Sequence, residues 1–108
     1  MDANELRGHL DALILAVLER RPLHGYAVIE ALSARSGGTL GLPTGTVYPA
    51  LRRLERAGWI EGEWSTVDGR RRRTYRLSRS GRRELERERA SWREFTAVIG
   101  GVLGEPAA

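Results

Sequence analysis

The stretch "GTVYPALRRLERAGWI", Gly45 to Ile60, decides the fold. Val47, Ala50, Leu51 and Leu54 recur at helical spacing, and Arg52, Arg53 and Arg56 stand opposite them, the pattern of an amphipathic helix. Pro49 sits inside that pattern. A proline in a helix interior removes a hydrogen bond and costs about 3 kcal/mol. In the opening turns it costs little, because the first amides have no intrahelical acceptor. The proline therefore marks the start of the helix, with Thr44 or Thr46 as the expected cap. Thr44, Thr46, Tyr48 and Pro49 then lie at its N-terminal end, with the three arginines further along the polar face. Gly58 suits the position just past the C-terminus.

Upstream, Leu6, Leu10, Leu13, Ile14, Val17 and Leu18 share one face of a helix expected from about Glu5 to Arg21, with Asn4 as its cap and Pro22 as its stop. A second helix is expected from Gly25 to Arg35. Tyr26, Ile29 and Leu32 are on its inner face, and Gly37-Gly38 forms a left-handed exit. Downstream, Ile60 and Trp64 alternate with Glu61, Glu63 and Ser65; beyond Asp68-Gly69, Tyr75 and Leu77 alternate with Thr74 and Arg76. Alternation on both sides of Asp-Gly predicts a β-hairpin, whose tip and return strand begin Arg70-Arg71-Arg72-Arg73. A last helix is expected from Arg79 to Leu103, with Ser78 as cap and Gly100-Gly101 fraying its end. Leu85, Trp92 and Ile99 are seven apart on it, and Phe95 and Val102 add a second position of the same repeat.

Composition narrows the function. The 108 residues, 41% hydrophobic and 30% charged, suffice for one domain with a modest core. No cysteine is present, which removes disulfides and thiolate metal sites, and two histidines are too few for a convincing metal site. His24 reads as a turn or packing residue and His9 as a surface residue. Neither has an acidic or hydroxyl partner at a readable spacing, so catalysis has no footing and no cofactor is implied. The longest apolar run, Ala12 to Leu18, is far short of the roughly 20 residues of a membrane span. The acidic N-terminus does not read as a secretory signal, so a cytoplasmic location is expected. The net charge of +4 is unevenly spread: residues 1–68 carry −2 and residues 69–108 carry +6. All 18 basic residues are arginine.

The order helix, helix, helix, hairpin, helix describes a mainly α fold with a small β-hairpin: a winged helix-turn-helix over 1–78, a long dimerisation helix over 79–104 and a tail over 105–108. In such a module the third helix enters the major groove of DNA with its N-terminal residues at the base edges. Thr46 and Tyr48 lie near that end, and Arg52, Arg53 and Arg56 reach phosphates or guanine edges. Arg70, Arg71, Arg72 and Arg73 lie along the backbone or in the adjacent minor groove, where four like charges at one turn find a polyanion. Leu85, Trp92, Phe95, Ile99 and Val102 form a stripe that a second copy of the chain would bury. A two-fold dimer sets its reading helices roughly 34 Å apart and calls for a palindromic site. Trp92 on that seam either packs as core or lines a cavity that takes a flat aromatic ligand.

The runs "PLHGYAVIEAL" (Pro22 to Leu32), "GTVYPALRRLERAGWI", "GRRRRTYRLSRSG" (Gly69 to Gly81) and Trp92 within "ASWREFTAVI" resemble the PadR family of transcriptional regulators in its short form, over nearly the whole chain. The Gly-Thr-aliphatic-Tyr-Pro-x-Leu run is quite specific to that family. The resemblance implies a dimeric repressor that binds a palindromic operator through Thr46, Tyr48 and the wing arginines and is released by an effector. In multidrug-sensing relatives a Trp at the place of Trp92 stacks on flat drugs between the subunits. One departure stands out: Pro43 occupies the place where the family usually has Ser or Asn as helix cap. Other readings stay open: a winged helix whose basic face serves an acidic protein, and a regulator with no small-molecule ligand.

Overall fold

The computed structural model describes residues 8–104. Among these residues, four helices and three strands follow the order α1 (Leu10–Leu18), β1 (Leu23–His24), α2 (Gly25–Arg35), α3 (Thr44–Arg56), β2 (Ile60–Val67), β3 (Arg70–Leu77) and α4 (Arg79–Leu103). No helix among them is long and apolar enough to cross a membrane. The cap expected at Asn4 and the apolar contact expected at Leu6 lie outside the described residues.

Helix α1 ends at Leu18, three residues before the expected Arg21. Pro22 contributes to the early stop, because it offers no N–H to the Leu18 carbonyl and disfavours helical geometry at Arg21. Helix α1 buries Leu10, Ile14, Leu15, Val17 and Leu18 and forms the centre of the core. Helix α2 has the expected span, but its inner face is Val28 and Leu32, with Ile29 partly covered. Tyr26, expected on that face, is 55% exposed. The i, i+4 pair Val28–Leu32 meets the core, and that phase turns Tyr26 outward. His24 caps α2: its Nδ1 accepts from the Ala27 amide at 3.3 Å. Gly37 and Gly38 both have positive φ, as expected of the exit.

Helix α3 buries Val47, Ala50, Leu51 and Leu54, the stripe read from the sequence. Its N-cap is neither threonine but Pro43, held extended at φ −78° and ψ 159°. The Pro43 carbonyl accepts from Thr46 at 3.0 Å and Val47 at 3.2 Å. A proline can begin a helix this way, because its own missing amide is not needed there. Pro49 is then the sixth helical residue and withholds one bond, the one its amide would have made to the Gly45 carbonyl. At the other end Gly58 has φ 79°, with Trp59 N–H bonded to the Leu54 carbonyl and Gly58 N–H to the Glu55 carbonyl. These two bonds make a Schellman C-cap.

Strands β2 and β3 pair antiparallel across a two-residue loop in which Asp68 and Gly69 have φ 52° and 77°. Positive φ at both positions is the type I′ turn that suits the twist of a hairpin. The sheet has a third strand that the sequence did not announce. β1 pairs with β3 at Leu23–Tyr75 and His24–Thr74, giving the order β1-β3-β2.

Ser78 caps α4 through its Oγ, which accepts from the Gly81 amide at 3.0 Å. Ser78 and Ser80 hydroxyls both donate to the Gly58 carbonyl, at 2.6 and 2.7 Å. The start of α4 is thereby tied to the end of α3. A Cβ at Gly81 would lie 1.9 Å from the Trp59 carbonyl oxygen, so only glycine permits this approach. Helix α4 does not fray at Gly100-Gly101. It runs to Leu103 and ends in a left-handed Gly104 whose amide bonds to the Gly100 carbonyl at 2.9 Å. Only Gly81 and Leu85 of α4 are buried. Leu85, read from the sequence as part of a dimer stripe, belongs to the core of its own chain at 2% exposure. This first apolar position of the repeat is taken up by the cluster around α1. Beyond Leu85 the helix leaves the core, and the molecule reaches 55 Å along its longest axis.

Candidate nucleic-acid interface

At 3.6 residues per turn, Arg52 and Arg56 fall opposite the buried stripe of α3. Arg53 falls on one flank, and Tyr48 and Glu55 on the other. Each flank is fastened. Arg53 Nη2 meets Asp11 Oδ1 of α1 at 2.5 Å, an exposed pair of small energetic weight. The Tyr48 ring lies against the first residue of α2, where a Cβ at Gly25 would come within 2.8 Å of its Cε1. The His-Gly-Tyr of one segment and the Thr-Val-Tyr-Pro of another are thus two halves of one contact. Glu55 reaches the wing. Arg52 and Arg56 remain exposed without a carboxylate partner among the described residues. Among the described residues no side chain caps the N-terminus of α3, and Thr44, Gly45 and Thr46 around it are exposed. The positive end of the helix dipole is therefore open to an anion.

The hairpin sorts the four-arginine run into two faces. Register pairs Trp64 with Arg73, Ser65 with Arg72, Thr66 with Arg71 and Val67 with Arg70. Alternation puts Arg71 and Arg73 on the face of Trp64 and Tyr75, and Arg70 and Arg72 on the other. Arg70, Arg71 and Arg72 are exposed, and no carboxylate partners them among the described residues. Arg73 differs. It is half-buried and grips Glu55 with both Nε, at 3.3 Å from Oε1, and Nη2. The sequence set it with its three neighbours as a DNA contact; the structure pairs its guanidinium with Glu55 of α3. Further down the strand, Arg76 lies 3.7 Å from both Glu61 and Glu63. Burial pushes the Tyr75 phenol above its usual range, and the Glu55 charge adds to the effect. Two exposed aromatics were read from the sequence only as parts of their elements and given no role at the site: Tyr26 at the start of α2 and Trp64 on the wing, at 55% and 54%. Strand alternation carried the signal for Trp64, since it shares a face with Arg71.

A second feature lies between α1 and α4, an open groove of about 750 Å³ with Leu13, Ala16 and Leu85 on its floor and Trp92 at its edge. Trp92 is 52% exposed; the His9 ring meets its edge at 5.4 Å, and Phe95 stacks on it at 5.8 Å. Arg89, also on the groove, forms a two-pronged pair with Glu19 at the end of α1, at 2.8 and 3.0 Å. That hydrogen bonding holds the Glu19 carboxyl below its usual value. Past the groove, Phe95, Val98, Ile99, Val102 and Leu103 are all exposed.

Three short helices, a hairpin wing and a long last helix are an arrangement found in known proteins. The family model described as the transcriptional regulator PadR-like family matches residues 14–87. The chain belongs to the PadR-like family. It is therefore a transcriptional regulator with a DNA-binding winged helix. It is 45% identical over 80 residues to the transcriptional regulator Rv3488 of Mycobacterium tuberculosis, over 73% of this chain and 72% of that protein. It is similar in structure to a PadR family transcriptional regulator from Eggerthella lenta, with a TM-score of 0.83, 31% identity, and 95% and 88% of the two chains covered. A PadR family regulator from Clostridium difficile gives a TM-score of 0.77 at 31% identity, covering 88% of this chain and 98% of that one.

Proposed function

We propose that this PadR-like regulator is a homodimeric repressor that binds a palindromic operator through α3 and the wing. The observation that carries the DNA reading is the set of exposed guanidinium groups at Arg52, Arg56, Arg70, Arg71 and Arg72, which have no carboxylate partner among the described residues, beside a helix N-terminus bearing Thr44 and Thr46 that no side chain among those residues caps. In this reading α3 enters the major groove, with Thr46 and Tyr48 near base edges and Pro49 shaping the entry. Arg52 and Arg56 take phosphates, and the wing follows the backbone into the adjacent minor groove. Arg53 keeps its place on the rim beside Asp11.

The dimer reading rests on Trp92, Phe95, Ile99 and Val102, to which Val98 and Leu103 add. A soluble monomer rarely leaves so continuous an apolar strip in water. The groove between α1 and α4 is the natural receptor for the same strip from a second copy, an isologous arrangement that fits a two-fold site. Trp92 at the groove edge supports a flat aromatic effector there, one that would alter the spacing of the two reading heads.

Selection of bound duplexes from a random pool tests the proposal. A two-fold symmetric consensus is expected. Recovery of an asymmetric consensus, or of none at low salt, refutes it. An acidic protein partner for the basic face would appear instead as binding without sequence preference for duplex.

A further inference from the structure

We propose that Trp64 and Arg73 are positioning residues, which hold the Arg71 guanidinium on the wing in place for its DNA contact. The inference rests on the reading of the wing as a DNA contact. A tryptophan at 54% exposure, on the part of β2 that extends beyond the core, needs a reason. Its neighbours supply one. The Arg71 guanidinium lies over the Trp64 ring at 4.6 Å from the centroid, and that of Arg73 at 5.2 Å. Arg73 is paired with Trp64 directly across the strands, and Arg71 is two residues nearer the tip on the same face.

Arg73 is anchored at its other end. Its side chain crosses Gly62 to reach Glu55, so closely that a Cβ at Gly62 would lie 2.5 Å from Arg73 Nε. The result is a continuous chain of contacts: Glu55 on the reading helix, Arg73 across a glycine, Trp64 under Arg73, and Arg71 on Trp64. A free arginine side chain has many rotamers to lose on binding. One already stacked on an aromatic face loses fewer, and the stack leaves its outward N–H groups available for phosphate or base acceptors. Because the chain begins on α3, it also fixes the wing relative to the helix that reads the major groove.

The test is a double-mutant cycle on the full-length protein. It is read with fluorescein-labelled 30-base-pair duplexes, both the random pool and the consensus recovered from it, over a series of salt concentrations. Trp64→Ala keeps the charge of Arg71, so affinity should fall about 3- to 10-fold while the slope of log affinity against log salt stays unchanged. Trp64→Phe retains a stacking face and should restore most of the loss. Arg71→Ala should lower the salt slope by about one unit, and adding Trp64→Ala to it should then change little. Wild-type affinity for Trp64→Ala overturns the proposal. So does a full Trp64→Ala effect in the Arg71→Ala background, since Trp64 would then be touching DNA itself. If Arg71→Ala alone changes neither affinity nor slope, the wing contact fails and takes this proposal with it, a result distinct from the other two. Thermal unfolding of the Trp64 variants should match the parent, because the ring lies outside the core.

Discussion

Truncating Phe95 to alanine tests the role of α4 most directly. Phe95 is 55% exposed and lies beyond the last buried residue of its helix, so its loss leaves the core of the single chain untouched. A phenylalanine side chain presents roughly 200 Å², of which about 110 Å² is free here. At about 25 cal/mol per Å², covering that area is worth about 2.7 kcal/mol, and the alanine methyl recovers a small part. About 2 kcal/mol per site remains, and a two-fold interface holds two sites, so the loss is about 4 kcal/mol. Each 1.4 kcal/mol is a factor of ten, and the dimer dissociation constant should rise by roughly three orders of magnitude. Sedimentation velocity over a concentration series reads this directly. The parent should hold the dimer mass at concentrations where Phe95→Ala sediments as a monomer, and the thermal midpoint of the variant should depend more steeply on concentration. Phe95 stacks within the chain on Trp92, itself exposed, whereas the Trp92 ring also meets His9, so Phe95→Ala disturbs less of the single chain. An unchanged dissociation constant for Phe95→Ala would refute the argument, because it would leave this apolar strip without a partner.

Replacing both Arg71 and Arg72 with alanine should weaken binding to every duplex sequence and reduce the salt slope by about 0.9 for each phosphate left without its arginine, as read by fluorescence anisotropy. Gly81→Ala puts a methyl group against backbone 1.9 Å away; about 3 kcal/mol or more of stability should disappear, seen as a large fall in thermal midpoint. The Arg89 hydrogen bonds depress the folded pKa of Glu19 from its usual 4.5. That contribution is present above pH 4.5 and fades as pH falls through the lowered value. The stability gap between the parent and Glu19→Gln should therefore close in acid, from less than about 1 kcal/mol at neutral pH because the pair is about one-third exposed.

Much of the fold was legible because its signals are local. The stripe of α3, the Schellman glycine at 58, the Asp68-Gly69 turn and the Ser78 cap each depend on residues within four or five positions of one another. The candidate site was legible more coarsely. The arginine run identified the wing but not the division of labour within it, since four identical letters carry no information about partners. Trp64 was visible in the strand alternation and still went unassigned, because its use depends on two guanidinium groups that stack on it from the opposite strand.

By itself the sequence determined periodicity and punctuation: where helices and the hairpin run, and which of their faces are apolar or charged. The chain's own backbone enforces these over short distances. Tertiary structure decided every allocation among competing partners. It drew Leu23 and His24 into the sheet as a third strand, gave Leu85 to the core of its own chain, turned Tyr26 to water and Val28 inward, and joined Arg73 to Glu55 across 18 positions. A residue's pattern shows that it needs a partner. Which partner it meets depends on packing elements that are distant in sequence, and only the assembled fold brings those together.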